Sequence, residues 1–240
     1  MGRRMEQSKV IAVVPCHNTA ATIASVVENA SQFVERVIVV DNNSSDRTAL
    51  IAKLTGAHVV PCKKRGMGRA TSTGIIWAVA LGAETIITLD GDGQHDPLEI
   101  PKLLRNLWLT GSDIATGVRV GVRLGNSPMP RYRRLGVQVI TLAYNLGARD
   151  KLLDAQCGFR AFTVEVAMNI KTRENGFGCI TEFLIKARKK GYKITGVPVT
   201  CIYHNSLKAN STMNPVKHGV SVLLSTIRWR IWEILNCARR

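Results

Sequence analysis

Aromatic residues make up only 5% of the 240-residue chain, and 17 acidic residues stand against 33 lysines and arginines. Apolar runs stay well short of the ~18 residues that a membrane-spanning helix needs. Each scarcity excludes something. Few aromatics argue against single-stranded nucleic-acid binding, which stacks bases on rings set among cations, and no nucleic-acid recognition module is visible. The short apolar runs imply a chain that does not cross a membrane, and the opening MGRRMEQSKVIAVV is too brief for a signal peptide. The six cysteines, Cys16, Cys62, Cys157, Cys179, Cys201 and Cys237, form no CxxC pair, so a reducing cytosol is the expected compartment. Neither the G-x-G-x-x-G turn nor the G-x-x-x-x-G-K-[ST] phosphate loop occurs. Any nucleotide must be held in another way.

What is present is a basic excess of +16, which predicts an anionic partner such as a nucleotide, a lipid phosphate or an anionic membrane surface. The length suits one α/β domain. Apolar runs at 10–14, 36–40, 58–60, 86–89 and 113–116 read as strands, and helical spacing follows each of the first four. Such alternation predicts parallel βαβ units in a doubly wound sheet covered on both faces. Residues 119–130 hold two glycines and two prolines and read as a loop. Helical patterns at 131–146 and 180–189 flank a further strand at 158–163, and Pro198 places a last strand, 193–202, near an edge. A helix follows from 214.

The stretch IITLDGDGQHDP at 86–97 organises the rest. A buried strand ends there in Asp90 and Asp92, with Gly91 and Gly93 forbidding its continuation. Two hard oxygen donors at a strand's carboxyl end suit Mg²⁺ or Mn²⁺ carrying a diphosphate, with Gln94 and His95 completing or orienting the site. The other strand ends carry Pro15 to Asn18, Asp41 with Asn42 and Asn43, and a basic glycine loop at 63–69. Asp41 is well placed for a ribose hydroxyl or a base edge. Asp46 reads as a helix cap.

Taken in order, VVPCHN ending at Asn18, DNNSSDRT at 41–48, RGMGRATSTG at 65–74, LDGDGQHDP at 89–97, GVR at 117–119 and DAQCGFRAF at 154–162 resemble the family-2 glycosyltransferases with the GT-A fold. The likeness is to their dolichol-phosphate mannose synthase-like branch, which acts on polyprenyl phosphates, and TEFLIKARKKGYKITGVPV at 181–199 and NPVKHG at 214–219 extend it. The resemblance implies a nucleotide-sugar site at the strand ends, with Pro15, Asn18 and Asp41 on the nucleotide. It places Asp90, Asp92 and Gln94 on the metal and diphosphate, Arg119 and Arg131 on the acceptor phosphate, and Asp154 near the reacting sugar, with Glu182 as a second carboxylate. The implied reaction moves a hexosyl group, with inversion, from a nucleoside diphosphate sugar to a polyprenyl phosphate. Two departures stand out. Thr19 follows Asn18 where the family has glutamate, and Gly136 and Val137 lie where a serine is common. Alternatives are a family-2 transferase with a polysaccharide or other soluble acceptor, or a binding protein that kept the fold.

The expected organisation is a catalytic domain over 1–218 and a basic amphipathic tail over 219–240. In that tail Trp229 and Trp232 would sit at headgroup depth and Arg228 and Arg230 would meet anionic lipid. The expected location is therefore peripheral, at the cytoplasmic face of a membrane.

Overall fold

The computed structural model describes residues 8–119, 129, 131–148, 150–202 and 215–237. Strand β1 (Val10–Cys16) is buried at every position, as a central strand is when helices cover both faces of a sheet. Its side chains alternate between two cores. Val10, Ala12 and Val14 join one apolar cluster, and Ile11 and Val13 join the other.

The remaining strands are β2 (Arg36–Asp41), β3 (His58–Pro61), β4 (Thr85–Thr88), β5 (Ile114–Arg119), β6 (Arg160–Thr163) and β7 (Ile194–Val199). Helices α1 (Ile23–Ser31), α2 (Thr48–Leu54), α3 (Met67–Ala80) and α4 (Ile100–Thr110) alternate with the first five strands. Then come α5 (Arg131–Asn145), α6 (Val164–Asn169), α7 (Cys179–Lys189) and α8 (Pro215–Cys237). α4 buries Ile100, Leu103, Leu104 and Leu107 and stops at Gly111, whose φ of 57° is left-handed.

The seven strands form one sheet in the order β3-β2-β1-β4-β6-β5-β7. β7 is an edge strand, as Pro198 predicts. The parallel expectation fails at one place. β6 runs antiparallel to both β4 and β5, because strand and helix alternation sets the spacing of elements and not the direction of a strand inserted between two others. The reversal matters for function: it pairs Arg160 with Thr88 and with Thr116, so the chain entering β6 is delivered to the carboxyl ends of β4 and β5.

α6 was not expected. Six residues are too few to show a helical period, and only its Thr163 cap, whose hydroxyl accepts from the Val166 amide at 3.5 Å, marks the start. The strand expected at 86–89 lies one residue earlier, so Leu89 and Asp90 belong to the turn. Apart from Arg119 and Met129, the expected loop at 119–130 lies outside the described residues.

The C-terminal helix begins at Pro215 and packs against α5 and α7. Trp229 lies in the second core, with Trp232 packed against it. The boundary expected at 218 therefore falls inside a helix that shares the core.

Candidate active site

The loops after β1 and β2 are stitched to each other. The Asn18 amide donates to Ser44 Oγ at 3.0 Å, and Asn18 Oδ1 accepts from the Ser45 amide at 2.8 Å. Asn18 and Asn43 are the non-glycine residues at positive φ among the described residues. Asparagine tolerates that region, and both sit in the strand-end loops where a ligand would lie. The Ser44 amide donates to Asp41 Oδ1 at 3.1 Å, so one oxygen of Asp41 shapes the loop. Asp46 accepts from the amides of Ala20 and Thr48 at 3.1 and 2.9 Å, which agrees with a helix-start role. Pro15 lies at the buried end of β1.

Asp90 and Asp92 occupy the turn after β4. Gly91 is required by space, since a Cβ there would lie 2.3 Å from Cys16 Sγ, and Gly93 is left-handed at φ 73°. The turn is held from three sides. Thr22 Oγ1 donates to the Gly91 carbonyl at 2.7 Å, the Gln94 amide donates to Asp92 Oδ1 at 3.0 Å, and the Ile202 amide donates to the Gln94 carbonyl at 2.9 Å. The Asp90 side chain keeps 27% exposure within a concave, desolvating surround. Burial, and then repulsion from Asp92, push its carboxyl up to about 7.

His95 Nε2 lies 3.7 Å from Asp90 Oδ2. This is not an ion pair, because burial and the nearby Arg119 push the imidazole down to about 3 and leave it neutral. Its ring packs on Phe159, with centroids 5.4 Å apart. Among the described residues no three of His, Cys, Asp and Glu converge into a metal cage. Two carboxylates without a cage are the donor set of a Mg²⁺ or Mn²⁺ site that substrate phosphates complete.

Arg119, at the end of β5, and Asp154, in the segment leading to β6, meet each other. Nε donates to Asp154 Oδ2 at 2.6 Å and Nη2 to Oδ1 at 3.0 Å, while the Gln156 amide adds a contact at 2.9 Å. Both side chains are nearly buried. Burial works against the Asp154 charge, but the Arg119 hydrogen bonds override it and hold the carboxyl below its usual range. The two residues expected on acceptor and sugar are thus each other's partners, and Asp154 orients the guanidinium.

The model of the family described as "Glycosyl transferase family 2" matches residues 11–170. The chain belongs to that family. It is a glycosyltransferase with the GT-A fold. It is 31% identical over 234 residues to an uncharacterized protein of Methanocaldococcus jannaschii, covering 95% of each chain. It is 27% identical to the UDP-N-acetylglucosamine–dolichyl-phosphate N-acetylglucosaminyltransferase of Methanococcus voltae, covering 97% of this chain and 100% of that one. Among solved structures, glucosyl-3-phosphoglycerate synthase from Mycobacterium tuberculosis, in complex with Mn²⁺, UDP-glucose and phosphoglyceric acid, aligns with a TM-score of 0.73. That likeness is 21% identical and covers 96% of this chain and 81% of that one.

In this glycosyltransferase the second carboxylate, Glu182, is fully buried. It accepts from the amides of Arg173 and Glu174 at 2.7 and 2.8 Å and pairs with Lys186 at 2.5 Å. It pins the 173–175 segment, whose Asn175 carbonyl accepts from the Gly68 amide at 2.9 Å and so braces the start of α3. Arg131 opens α5, and its side chain lies outside the described residues.

Sequence reasoning passed over Arg160. It is buried, its Nε donates to Thr116 Oγ1 at 3.3 Å and its Nη1 to the Ile180 carbonyl at 3.0 Å, and Nη2 has no partner. The signal was a lone cation in the apolar run GFRAF.

Proposed function

We propose that this glycosyltransferase moves a hexosyl group, with inversion, from a nucleoside diphosphate sugar to a polyprenyl phosphate, assisted by Mg²⁺ or Mn²⁺ at Asp90 and Asp92. The observation that carries the reading is the charge state of the turn after β4. Asp90 and Asp92 stand one residue apart in the glycine turn at the strand's carboxyl end, and burial with repulsion from Asp92 pushes the Asp90 carboxyl up to about 7. The metal supplies charge stabilisation to the leaving diphosphate. Gln94, beside Asp92, is the neutral oxygen donor of the set.

Pro15, Asn18 and Asp41 surround the nucleotide end of the same edge. The acceptor phosphate, with a second pKa near 6, is largely ionised at neutral pH, so no strong general base is needed. Arg119, aimed by Asp154, and Arg131 orient it. The two named relatives that support the acceptor class are the dolichyl-phosphate N-acetylglucosaminyltransferase and a dolichyl-phosphate hexose transferase of Haloferax volcanii, 28% identical over 229 residues.

A peripheral membrane contact fits this acceptor. Among the described residues no helix is long and apolar enough to cross a bilayer. Trp229 and Arg230, expected at the lipid, are buried in the protein instead. The opposite face of α8 exposes Val220, Leu224, Ile227, Ile231 and Ile234, and neighbouring α5 exposes Leu135 and Leu142. Apolar stripes on two packed helices of a strongly basic chain suit an anionic surface.

Incubating the protein and anionic vesicles with labelled nucleotide sugars and polyprenyl phosphates tests the function. Lipid-linked sugar that disappears in chelator and returns with Mn²⁺ or Mg²⁺ is expected. Product formed only on soluble acceptors overturns the acceptor class, and full activity in excess chelator overturns the metal.

A further inference from the structure

One face of the sheet carries a cavity of about 480 Å³ that no step above uses fully. Its upper end is walled by Asp90 and Gly158, and below them it passes between α3 and α6. Protein interiors hold few voids larger than a water molecule, whereas this space falls in the range of small-molecule sites.

The chemistry of the wall is lopsided. Ile75 and Val79 of α3, Phe162 of β6 and Phe183 of α7 present carbon. The hydroxyls on the wall face other partners: Ser72 and Thr172 bond each other at 3.0 Å, Thr71 bonds the Met67 carbonyl at 2.9 Å, and Thr88 bonds the Gly158 carbonyl at 2.8 Å. A cavity with its polar groups so satisfied favours an apolar occupant over water. The exception is Arg160, whose buried guanidinium lines the cavity, takes part in none of the ion pairs among the described residues and leaves Nη2 without a partner. Arg160 pairs in the sheet with Thr88, two residues before Asp90, and both line this cavity, which places the residue at the active-site end. At the far end Ile76 and Met168 line the cavity and are themselves 67% and 56% exposed, so the space opens to the surface between α3 and α6. Lys171 stands exposed at that rim.

We propose that this cavity receives the first apolar segment of the acceptor, with the anionic phosphate at the Asp90 and Arg160 end and the chain leaving between Ile76 and Met168. The assignment rests on the acceptor being a polyprenyl phosphate. It differs from a mode in which the chain lies wholly against the stripes of α5 and α8. An apolar channel with one cation at its reactive end matches a lipid phosphate in both parts.

Two variants of the full-length protein test it. Ile76→Trp blocks the exposed exit without entering the core, and Ala167→Phe fills the channel from α6. Both are compared with the wild type by thermal melting and by kinetics on prenyl phosphates of increasing chain length. In folded variants KM for the longer chains rises by about tenfold or more, the loss of a few buried methylenes, while KM for the nucleotide sugar stays within about twofold. A photoreactive prenyl phosphate with a diazirine in its tail labels α3 and α6 in the wild type. Unchanged KM in folded Ile76→Trp, or label confined to α5 and α8, overturns the channel and leaves the acceptor class standing. If Ala167→Phe does not fold, Ile76→Trp and the label decide. Labelling of α3 and α6 without transfer to any lipid phosphate keeps the channel as a site for an amphipathic anion and overturns the acceptor reading instead.

Discussion

Asp90 and Asp154 sit at one edge of one sheet, yet the protein treats their charges in opposite ways. Asp154 faces a guanidinium that donates twice to it and holds its carboxyl below the usual range. Asp90 faces Asp92 in a desolvating surround, and its carboxyl is pushed up to about 7. A buried carboxylate whose cation is built into the fold is structural machinery that needs nothing more. One held beside a second carboxylate is unfavourable until a cation arrives from outside. Under the proposed function the difference separates the pair that would take the metal from the pair in which Asp154 aims Arg119, which residue type alone does not do.

The largest expected effect removes the outside cation's ligand. Asp92→Ala lowers sugar transfer by roughly a hundredfold to a thousandfold, the range for losing a preorganised electrostatic contact in a transition state. Thermal stability changes little, because relief of the repulsion on Asp90 is offset by loss of the Gln94 amide bond to Asp92. Transfer by radiolabelled nucleotide sugar and a melting curve read both, and near-normal transfer would make the β4 turn a structural feature like the Asp154 pair.

The next effect is on stability. Asp154→Ala strands a buried guanidinium and destabilises the fold by about 3–5 kcal/mol, seen in urea unfolding. Replacing both partners with apolar residues, Arg119→Met with Asp154→Leu, recovers much of that loss because no charge is left unpaired, while activity stays low. A mild single variant would mean that water or another partner already shares the charge.

A third test uses pH. Asp90 binds a proton more tightly folded than unfolded, so its contribution to stability is fully present below the ordinary aspartate value of about 3.9 and declines as pH rises towards 7. Asp154 behaves oppositely. Its contribution is present above the ordinary value and is lost as pH falls below it. In metal-free protein, unfolding free energy therefore declines between pH 4 and pH 7 through Asp90, and Asp90→Asn flattens that slope. Saturating Mn²⁺ also flattens it, since metal and proton compete for one carboxylate. A slope that survives Asp90→Asn assigns the titration elsewhere.

Much of this was legible before any coordinates. Val10 to Val14 and Ile86 with Ile87 announce buried strands by composition, α4 announces itself by period, and the DGDG turn is visible because two glycines interrupt an apolar run. Three things were not legible. The direction of β6 depends on which strands it pairs with, a contact between residues over 70 positions apart. The partnership of Arg119 with Asp154 follows from that reversal, so the resemblance could place both near substrate without showing that they neutralise each other. The outward face of α8 also could not be told from the inward one, because Trp229 and Ile231 are two residues apart in a stretch where arginines alternate with apolar residues, and only packing against α5 and α7 decides that Trp229 faces in.

The smallest expected effect concerns His95, which lies between the two carboxylate environments and belongs to neither. Its imidazole is buried, held neutral at working pH, and 3.7 Å from Asp90, beyond hydrogen-bond reach. A histidine in an active site is the usual suspect for a pH step near 6.5, but this one titrates far below that. His95→Phe should therefore leave the shape of the pH–rate profile unchanged and alter the rate by less than about tenfold, since a neutral ring at that distance stabilises little developing charge. Stability should hold or rise, because the buried Nδ1, which has no hydrogen-bond partner, is removed while the contact with Phe159 is kept. The profiles of the two proteins, measured with saturating metal, decide the matter. Loss or displacement of the acid limb in His95→Phe would mean that the imidazole carries charge during turnover, and the division into one carboxylate awaiting a cation and one already supplied would then have to admit a third ionising group between them.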